Sequence, residues 1–172
     1  MRTILIIGAG KSTAYLVQYL LQKSEAEQLR ILLADKNSAF AEQLINQHPN
    51  GQAIAFDVFD EQQRTRAIQN ADIVISMLPA RFHIEVAKDC LKFGKHMVTA
   101  SYVSDEMQTL HKEVEAKGLL FLNEMGVDPG IDHMSAMAVI DRIKANGGEM
   151  ILFESFTGGL VAPESDDNLW HY

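Results

Sequence analysis

The chain has 172 residues, enough for one full domain and part of another, with an ordinary globular balance of 47% hydrophobic and 22% charged. A net charge of -8 with no basic block argues against nucleic acid as the main partner, because phosphate backbones need a positive patch. The single cysteine, Cys90, excludes an internal disulfide and suits a reducing cytoplasm, and no apolar run has the length of a signal-peptide core or a membrane span.

Arg2 to Ile7 is a β-branched run that predicts a strand and meets a turn at Gly8. Lys11 to Lys23 has helical spacing, with Tyr15, Leu16, Tyr19 and Leu20 on its apolar face. A second strand is expected over Leu29 to Ala34. A helix over Ser38 to His48 is then ended by Pro49-Asn50-Gly51. Gln52 to Phe56 predicts a third strand, Glu61 to Gln69 a helix and Asp72 to Ser76 a fourth strand. A helix from about Phe82 to Phe93 stops at Gly94, and His96 to Thr99 reads as the fifth strand. Asp105 to Ala116 predicts one helix and Leu119 to Leu122 the sixth strand. Near-continuous apolar strands separated by helices imply a doubly wound parallel sheet, a Rossmann fold, over residues 1–130. Right-handed crossovers then bring all strand C-termini to one edge, where ligands bind. Ile131 to Ala145 predicts a further helix, broken at Gly147-Gly148. Glu149 to Thr157 predicts a strand, and Gly158-Gly159 a turn. A lone strand cannot stand by itself, so residues 131–172 are expected to be a connecting helix and the start of a second, α+β substrate domain.

The chemistry is concentrated at that edge. Gly8-Ala9-Gly10-Lys11-Ser12-Thr13 follows a strand and opens a helix, the context of a dinucleotide-binding turn, although Thr13 stands where the fingerprint has its third glycine. A P-loop is the rival, because Gly10-Lys11-Ser12 resembles its end, but its first glycine would fall on Leu5; a plain glycine turn is the other alternative. Asp35, closing the second strand, can accept from both ribose hydroxyls of NAD and repel the 2′-phosphate of NADP, with Lys36 able to offset that repulsion; a merely solvated acid is the alternative. Asp57-Val58 falls where an adenine often sits, and Ser76-Met77-Leu78-Pro79 borders the cofactor path. Thr99-Ala100-Ser101-Tyr102 and Asn123 to His133 supply acids and histidine at the far end, while Asp128-Pro129-Gly130 also has turn chemistry and Asp132 can cap a helix. His83 and His133 lie near the ligand edge and are expected to titrate near neutral pH; His48, His96 and His111 read as surface or sheet-end residues. No Cys/His spacing supports a metal site, and Cys90 is expected in the core.

With these motifs the sequence resembles the glutamate-forming saccharopine dehydrogenases, also called saccharopine reductases. The carrying segments are Gly8-Ala9-Gly10, Ala71 to Pro79, Phe82-His83, Val98 to Ser104, Asn123 to His133 and Gly158 to Asn168. The resemblance implies an N-terminal portion of a longer enzyme: a Rossmann domain for NAD(P), then a larger inserted domain that binds saccharopine and forms a homodimer. It implies oxidation of a secondary amine through an imine, or the reverse. By position it implies Gly8, Ala9, Gly10 and Lys11 at the pyrophosphate, Asp35 and Lys36 at the ribose, and Asp57 and Val58 beside the adenine. Ser76, Met77 and Leu78 would follow the dinucleotide. Ala100, Val127 and Pro129 would lie at the nicotinamide end, with Ser101 and Asp128 against a small amino-acid substrate and Asp128 also catalytic. NAD is expected as the cofactor, with NADP as the alternative. Two other readings remain: a related amine dehydrogenase of lysine dehydrogenase or carboxynorspermidine synthase type, or a non-catalytic NAD(P) redox sensor.

Overall fold

The computed structural model describes residues 1–156, so the expected Gly158-Gly159 turn and the polar run after it lie outside the described residues. Six strands form one sheet in the order β3-β2-β1-β4-β5-β6: β1 (Arg2–Ile7), β2 (Leu29–Asp35), β3 (Gly51–Ala55), β4 (Ile73–Ser76), β5 (His96–Thr99) and β6 (Phe121–Leu122). Every pairing is parallel. The order reverses at β1, which lies between β2 and β4, and that reversal opens the crevice in which doubly wound sheets bind ligands.

Successive residues of a strand point to opposite faces, and here both faces are covered. Ile4 and Ile6 pack with Val17, Leu21, Ile31, Leu33 and Ile45 under α1 (Thr13–Lys23) and α2 (Ser38–Ile45). Leu5 and Ile7 pack with Val74, Ile68, Val86, Cys90 and Met97 under α3 (Glu61–Gln69) and α4 (His83–Phe93). Each fully buried Ile or Leu contributes about 1.5–3 kcal/mol, so these two layers hold the strand ends in place.

Several expectations are corrected. The inner face of α1 is Thr13, Val17 and Leu21; of the expected face, Leu16 and Leu20 pack partly buried against the same core, while Tyr15 and Tyr19 are 83% and 58% exposed. Thr13 seats the helix, and at 100° per residue Tyr15 then falls about 200° round, away from the sheet. The second helix stops at Ile45 because Asn46 takes a left-handed conformation (φ 47°). The helix expected over Asp105 to Ala116 is split into α5 (Asp105–Thr109) and α6 (His111–Ala116). Thr109 Oγ1 donates back to the Glu106 carbonyl at 2.6 Å, and the Leu110 N–H reaches only to Met107. The last strand shortens to Phe121–Leu122, the Leu120 N–H being taken by the His96 ring at 3.1 Å.

The chain divides into two compact units between His133 and Met134, a division that falls inside α7 (Ile131–Ala145). The strand expected from Glu149 is absent through Phe156, the last described residue. A strand needs a neighbour to take its N–H and C=O groups, and the described residues of that unit provide none.

Candidate functional site

The glycine turn is built by a close approach. Gly8 has φ +103°, and a Cβ there would lie 2.9 Å from the Met77 carbonyl oxygen, so only glycine lets β1 pass into the turn against the end of β4. Gly10 is exposed and a Cβ on it would meet nothing within 4 Å, leaving room for an anion against the backbone. The N-cap of α1, Ser12, makes no side-chain capping bond and the first turn holds no acid, so the positive end of an 11-residue helix is not neutralised by its own side chains. Thr13, in the third glycine position, is fully buried, and its hydroxyl has no hydrogen-bond partner. These features suit a pyrophosphate. Lys11 is exposed beside them.

Asp35 is tied to this turn. Its Oδ2 accepts from the Ala9 N–H at 2.6 Å and its Oδ1 from the Asn37 N–H at 2.7 Å. Both oxygens keep further acceptor capacity for ribose hydroxyls. Lys36 pairs with Asp57 at 3.3 Å, an exposed contact of small energetic weight. The Phe59 N–H donates to Asp57 and lowers its pKa, Lys36 adding to the effect. Between these groups lies a recess of about 190 Å³ whose walls include Gly8, Asp35, Val58, Phe59, Leu78 and Phe82. Phe59 and Phe82 meet edge to face at 5.1 Å, and the Arg81 guanidinium stands 4.7 Å over the Phe82 ring. Sequence reading missed Phe59. Its partner, Phe82, ends a short 3-10 turn that leads into α4, and only the sheet order brings the two together. The Val58 carbonyl accepts from Arg64, which is itself buried against Asp89 at 2.6 Å. A more voluminous groove, about 590 Å³, runs along β2, β3 and α3 and is lined by Arg30, Gln52 and Arg66; none of the expected site residues lines it.

At the far end of the edge, Ser76 closes β4 and pairs in register with Thr99, which closes β5. His83, the first residue of α4, is inserted between them and is 4% exposed. Its Nδ1 lies 2.8 Å from Ser76 Oγ and its Nε2 2.8 Å from Ser101 Oγ. Burial lowers its pKa below the usual 6.5, so the expectation of a histidine titrating near neutrality is corrected: the ring is neutral at pH 7. Met77 and Leu78 are half-buried, and the Met77 N–H bonds to the Ile7 carbonyl at 2.8 Å.

Residues 123–133 close the site. The Gly126 N–H reaches the Pro129 carbonyl at 2.9 Å and the Asp132 N–H the Val127 carbonyl at 3.0 Å. Gly130 has φ +146°, and a Cβ there would collide with the Gly126 backbone. Ala100 packs under this loop, where a Cβ on Gly126 would come within 3.2 Å of its methyl group. Val127 and Asp128 stay exposed on the rim, and Pro129 is buried. The Tyr102 hydroxyl donates to Asp128 Oδ1 at 2.8 Å, and that bond, with further acids nearby, raises the Tyr102 pKa. The Val103 N–H donates to Glu124 at 3.2 Å. Asp132 is the second residue of α7 rather than its cap, and it accepts from the Gly130 N–H at 2.9 Å. Partial desolvation opposes ionisation of Asp132, but bonds from His133 and Gly130 prevail and lower its pKa; the bond to Asp132 raises that of His133. Of the remaining histidines, His96 and His111 are exposed and His48 is half-buried. Cys90 is buried and pushed up to about 12 by burial. No cluster of metal-ligating side chains occurs among the described residues.

Residues 4–122 match the family described as saccharopine dehydrogenase NADP binding domain, and residues 126–172 the saccharopine dehydrogenase C-terminal domain. The chain is 39% identical over 98% of its length to the NADP(+), L-glutamate-forming saccharopine dehydrogenase of Schizosaccharomyces pombe, and spans 37% of that relative. It is 37% identical over 84% of its length to an α-aminoadipic semialdehyde synthase of Arabidopsis thaliana, covering 14% of it. Among solved structures, the apo saccharopine dehydrogenase (L-Glu forming) of Saccharomyces cerevisiae superposes with a TM-score of 0.81 at 32% identity, covering 98% of this chain and 37% of that one. An NAD binding oxidoreductase from Klebsiella pneumoniae, with a TM-score of 0.61 at 16% identity over 85% of this chain and 39% of that one, shares the fold alone.

Proposed function

The chain belongs to the saccharopine dehydrogenase family, and from that premise we propose that it carries the dinucleotide site and part of the amine site of an NAD(P)-dependent oxidoreductase acting on saccharopine. In the oxidative direction saccharopine, NAD(P)+ and water give glutamate, aminoadipate semialdehyde, NAD(P)H and a proton. The observation that carries this reading is the Tyr102–Asp128 pair, 2.8 Å apart, on the same sheet edge as the Gly8 turn.

The bound dinucleotide supplies a hydride acceptor or donor at its nicotinamide. The chain supplies the rest. Backbone N–H groups at Gly10, Lys11 and Ser12 would hold the pyrophosphate, and Asp35 would accept from the ribose. The recess walled by Val58, Phe59 and Phe82 would take the adenine. Asp128, with Glu124 and Asp132 nearby, holds the substrate's ammonium and takes a proton so that the amine is neutral when it is oxidised. Tyr102 stays protonated and steadies Asp128 by donating to it. Ser101 offers its hydroxyl to the substrate's amino-acid head group. Water then adds to the imine carbon and the glutamate amine departs.

We read Asp35 as favouring NAD, since a 2′-phosphate would bring negative charge against a carboxylate already fixed by two backbone N–H groups. The relatives' names carry NADP(+), and Lys36 is the cation that would meet a 2′-phosphate. We place the full-length protein as a homodimer in a reducing cytoplasm, with a small amino acid as its substrate.

The test is turnover of saccharopine by the full-length protein. Asp128→Asn should keep dinucleotide binding and lose about 100-fold or more in kcat, the usual general acid–base contribution. Near wild-type turnover would leave Asp128 only its turn. Turnover of lysine without turnover of saccharopine would replace the substrate assignment.

A further inference from the structure

We propose that His83 is the positioning residue of the substrate subsite: its ring, anchored on Ser76, fixes the direction in which the Ser101 hydroxyl meets the substrate's amino-acid head group. The inference rests on the reading of Ser101 as a substrate contact given above.

The geometry is a relay across two strand ends. Ser76 and Thr99 are buried and sit side by side at the ends of β4 and β5. His83 spans them from the start of α4, with Ser76 Oγ 2.8 Å from Nδ1 and Thr99 Oγ1 3.0 Å from Nε2. Ser101, 2.8 Å from the same Nε2, is the only one of the three hydroxyl residues that is not fully buried. It is therefore the hydroxyl that reaches the cleft.

A neutral imidazole carries one N–H and one lone pair, so one nitrogen donates and the other accepts: Nδ1 meets Ser76, and Nε2 is shared by Ser101 at 2.8 Å and Thr99 at 3.0 Å. Burial and the positive end of α4 both keep the ring in that form. Ser76 holds the ring in place, and in either tautomer the ring presents one fixed hydrogen-bonding group to Ser101 at Nε2. A serine hydroxyl left to itself turns among three staggered positions, whereas here one is selected before substrate arrives. Ser101 keeps one donor or acceptor site for the ring and turns the remainder to the cleft, where a carboxylate or ammonium of an amino acid would sit.

A serine beside a histidine also suggests a nucleophile and its base. Two observations oppose that. The other ring nitrogen meets a hydroxyl and not the carboxylate that orients such a base, and the lowered basicity of the ring weakens it as a proton acceptor.

The experiment uses the full-length enzyme and separates binding of NAD(P)H, read by nicotinamide fluorescence, from KM and kcat for saccharopine. Ser101→Ala should raise KM about tenfold or more, the loss expected for a hydrogen bond to a charged group, with dinucleotide affinity unchanged. His83→Asn, whose amide reaches only the Nδ1 position, should do the same. His83→Gln, whose amide reaches the Nε2 position, should restore KM to about threefold of wild type, a partial return of that bond. The double variant Ser101→Ala/His83→Asn should be no worse than Ser101→Ala alone, because the two act through one hydroxyl. The proposal is overturned if His83→Asn has the wild-type KM while Ser101→Ala does not, if the two effects multiply, or if His83→Asn loses dinucleotide affinity instead. A wild-type KM in Ser101→Ala overturns the substrate reading of Ser101 and this inference with it, whatever His83 does. Should His83→Asn fail to fold, His83→Phe, which keeps the ring volume, carries the same expectation. Failure of both to fold makes the role of His83 structural.

Discussion

Replacing Asp35 tests the join between the glycine turn and the proposed ribose site. The Ala9 N–H it holds belongs to a residue 2% exposed, so in Asp35→Ala water cannot readily take over the 2.6 Å bond. The Asn37 N–H is at an exposed site, where water replaces the lost partner. The cost is therefore dominated by one charge-assisted bond and a stranded buried donor, about 2 kcal/mol. For a chain of this size that lowers the unfolding midpoint by about 4–8 °C. Asp35→Asn retains a neutral acceptor for Ala9 and should lose about half as much. The same pair of variants separates charge from geometry in binding. Asp35→Asn keeps the turn but removes the repulsion of a 2′-phosphate, so the ratio of NADP to NAD affinity should rise about tenfold, equivalent to removing about 1.4 kcal/mol of repulsion. Thermal unfolding and calorimetric titration with each dinucleotide check both parts. An Asp35→Ala chain as stable as wild type would show that the Ala9 bond contributes nothing net. An unmoved NADP-to-NAD ratio in Asp35→Asn, or a wild-type chain that binds NADP at least tenfold tighter than NAD, would refute the specificity argument.

Gly8→Ala should destabilise the chain by about 2 kcal/mol in urea unfolding, since it places a Cβ in a positive-φ conformation against the Met77 carbonyl; an unchanged midpoint would mean that the turn relaxes freely. Asp89→Ala should cost about 3–5 kcal/mol, because it leaves the Arg64 guanidinium buried without its partner, and should weaken dinucleotide binding through the Val58 loop. Substituting both residues with apolar ones of similar volume should recover most of that stability. His83 has a folded pKa below its unfolded 6.5, so the unfolded state binds its proton first. Stability from this residue is complete above pH 6.5 and falls as pH drops from there through the lower folded value, and His83→Gln should flatten that part of the stability profile. An identical slope in the variant would show that His83 is not the group responsible.

The alternation of strands and helices was legible in the residues, because covered strands read as apolar runs and the helices between them carry their own stops. The residue pattern placed the Gly8 turn and Asp35, whose roles depend on residues next to a strand end. It also brought Ser101 and Asp128 to one sheet edge, since crossover handedness puts every strand C-terminus there. Which stripe of α1 faces the sheet was settled by packing, because two apolar stripes share one spacing and the seat of Thr13 sets the phase. The tertiary fold alone joined Phe59 to Phe82, Arg64 to Asp89 and His83 to Ser76 and Ser101, since these pairs are separated in sequence and meet only through sheet order. It turned His83 from an expected titrating group into a neutral bridge, because burial is a property of the packed chain and not of the residue. Residues 149–156 show the same dependence. Their pattern suits a strand, but a strand exists only where a neighbour completes its hydrogen bonds, and no local pattern supplies that neighbour.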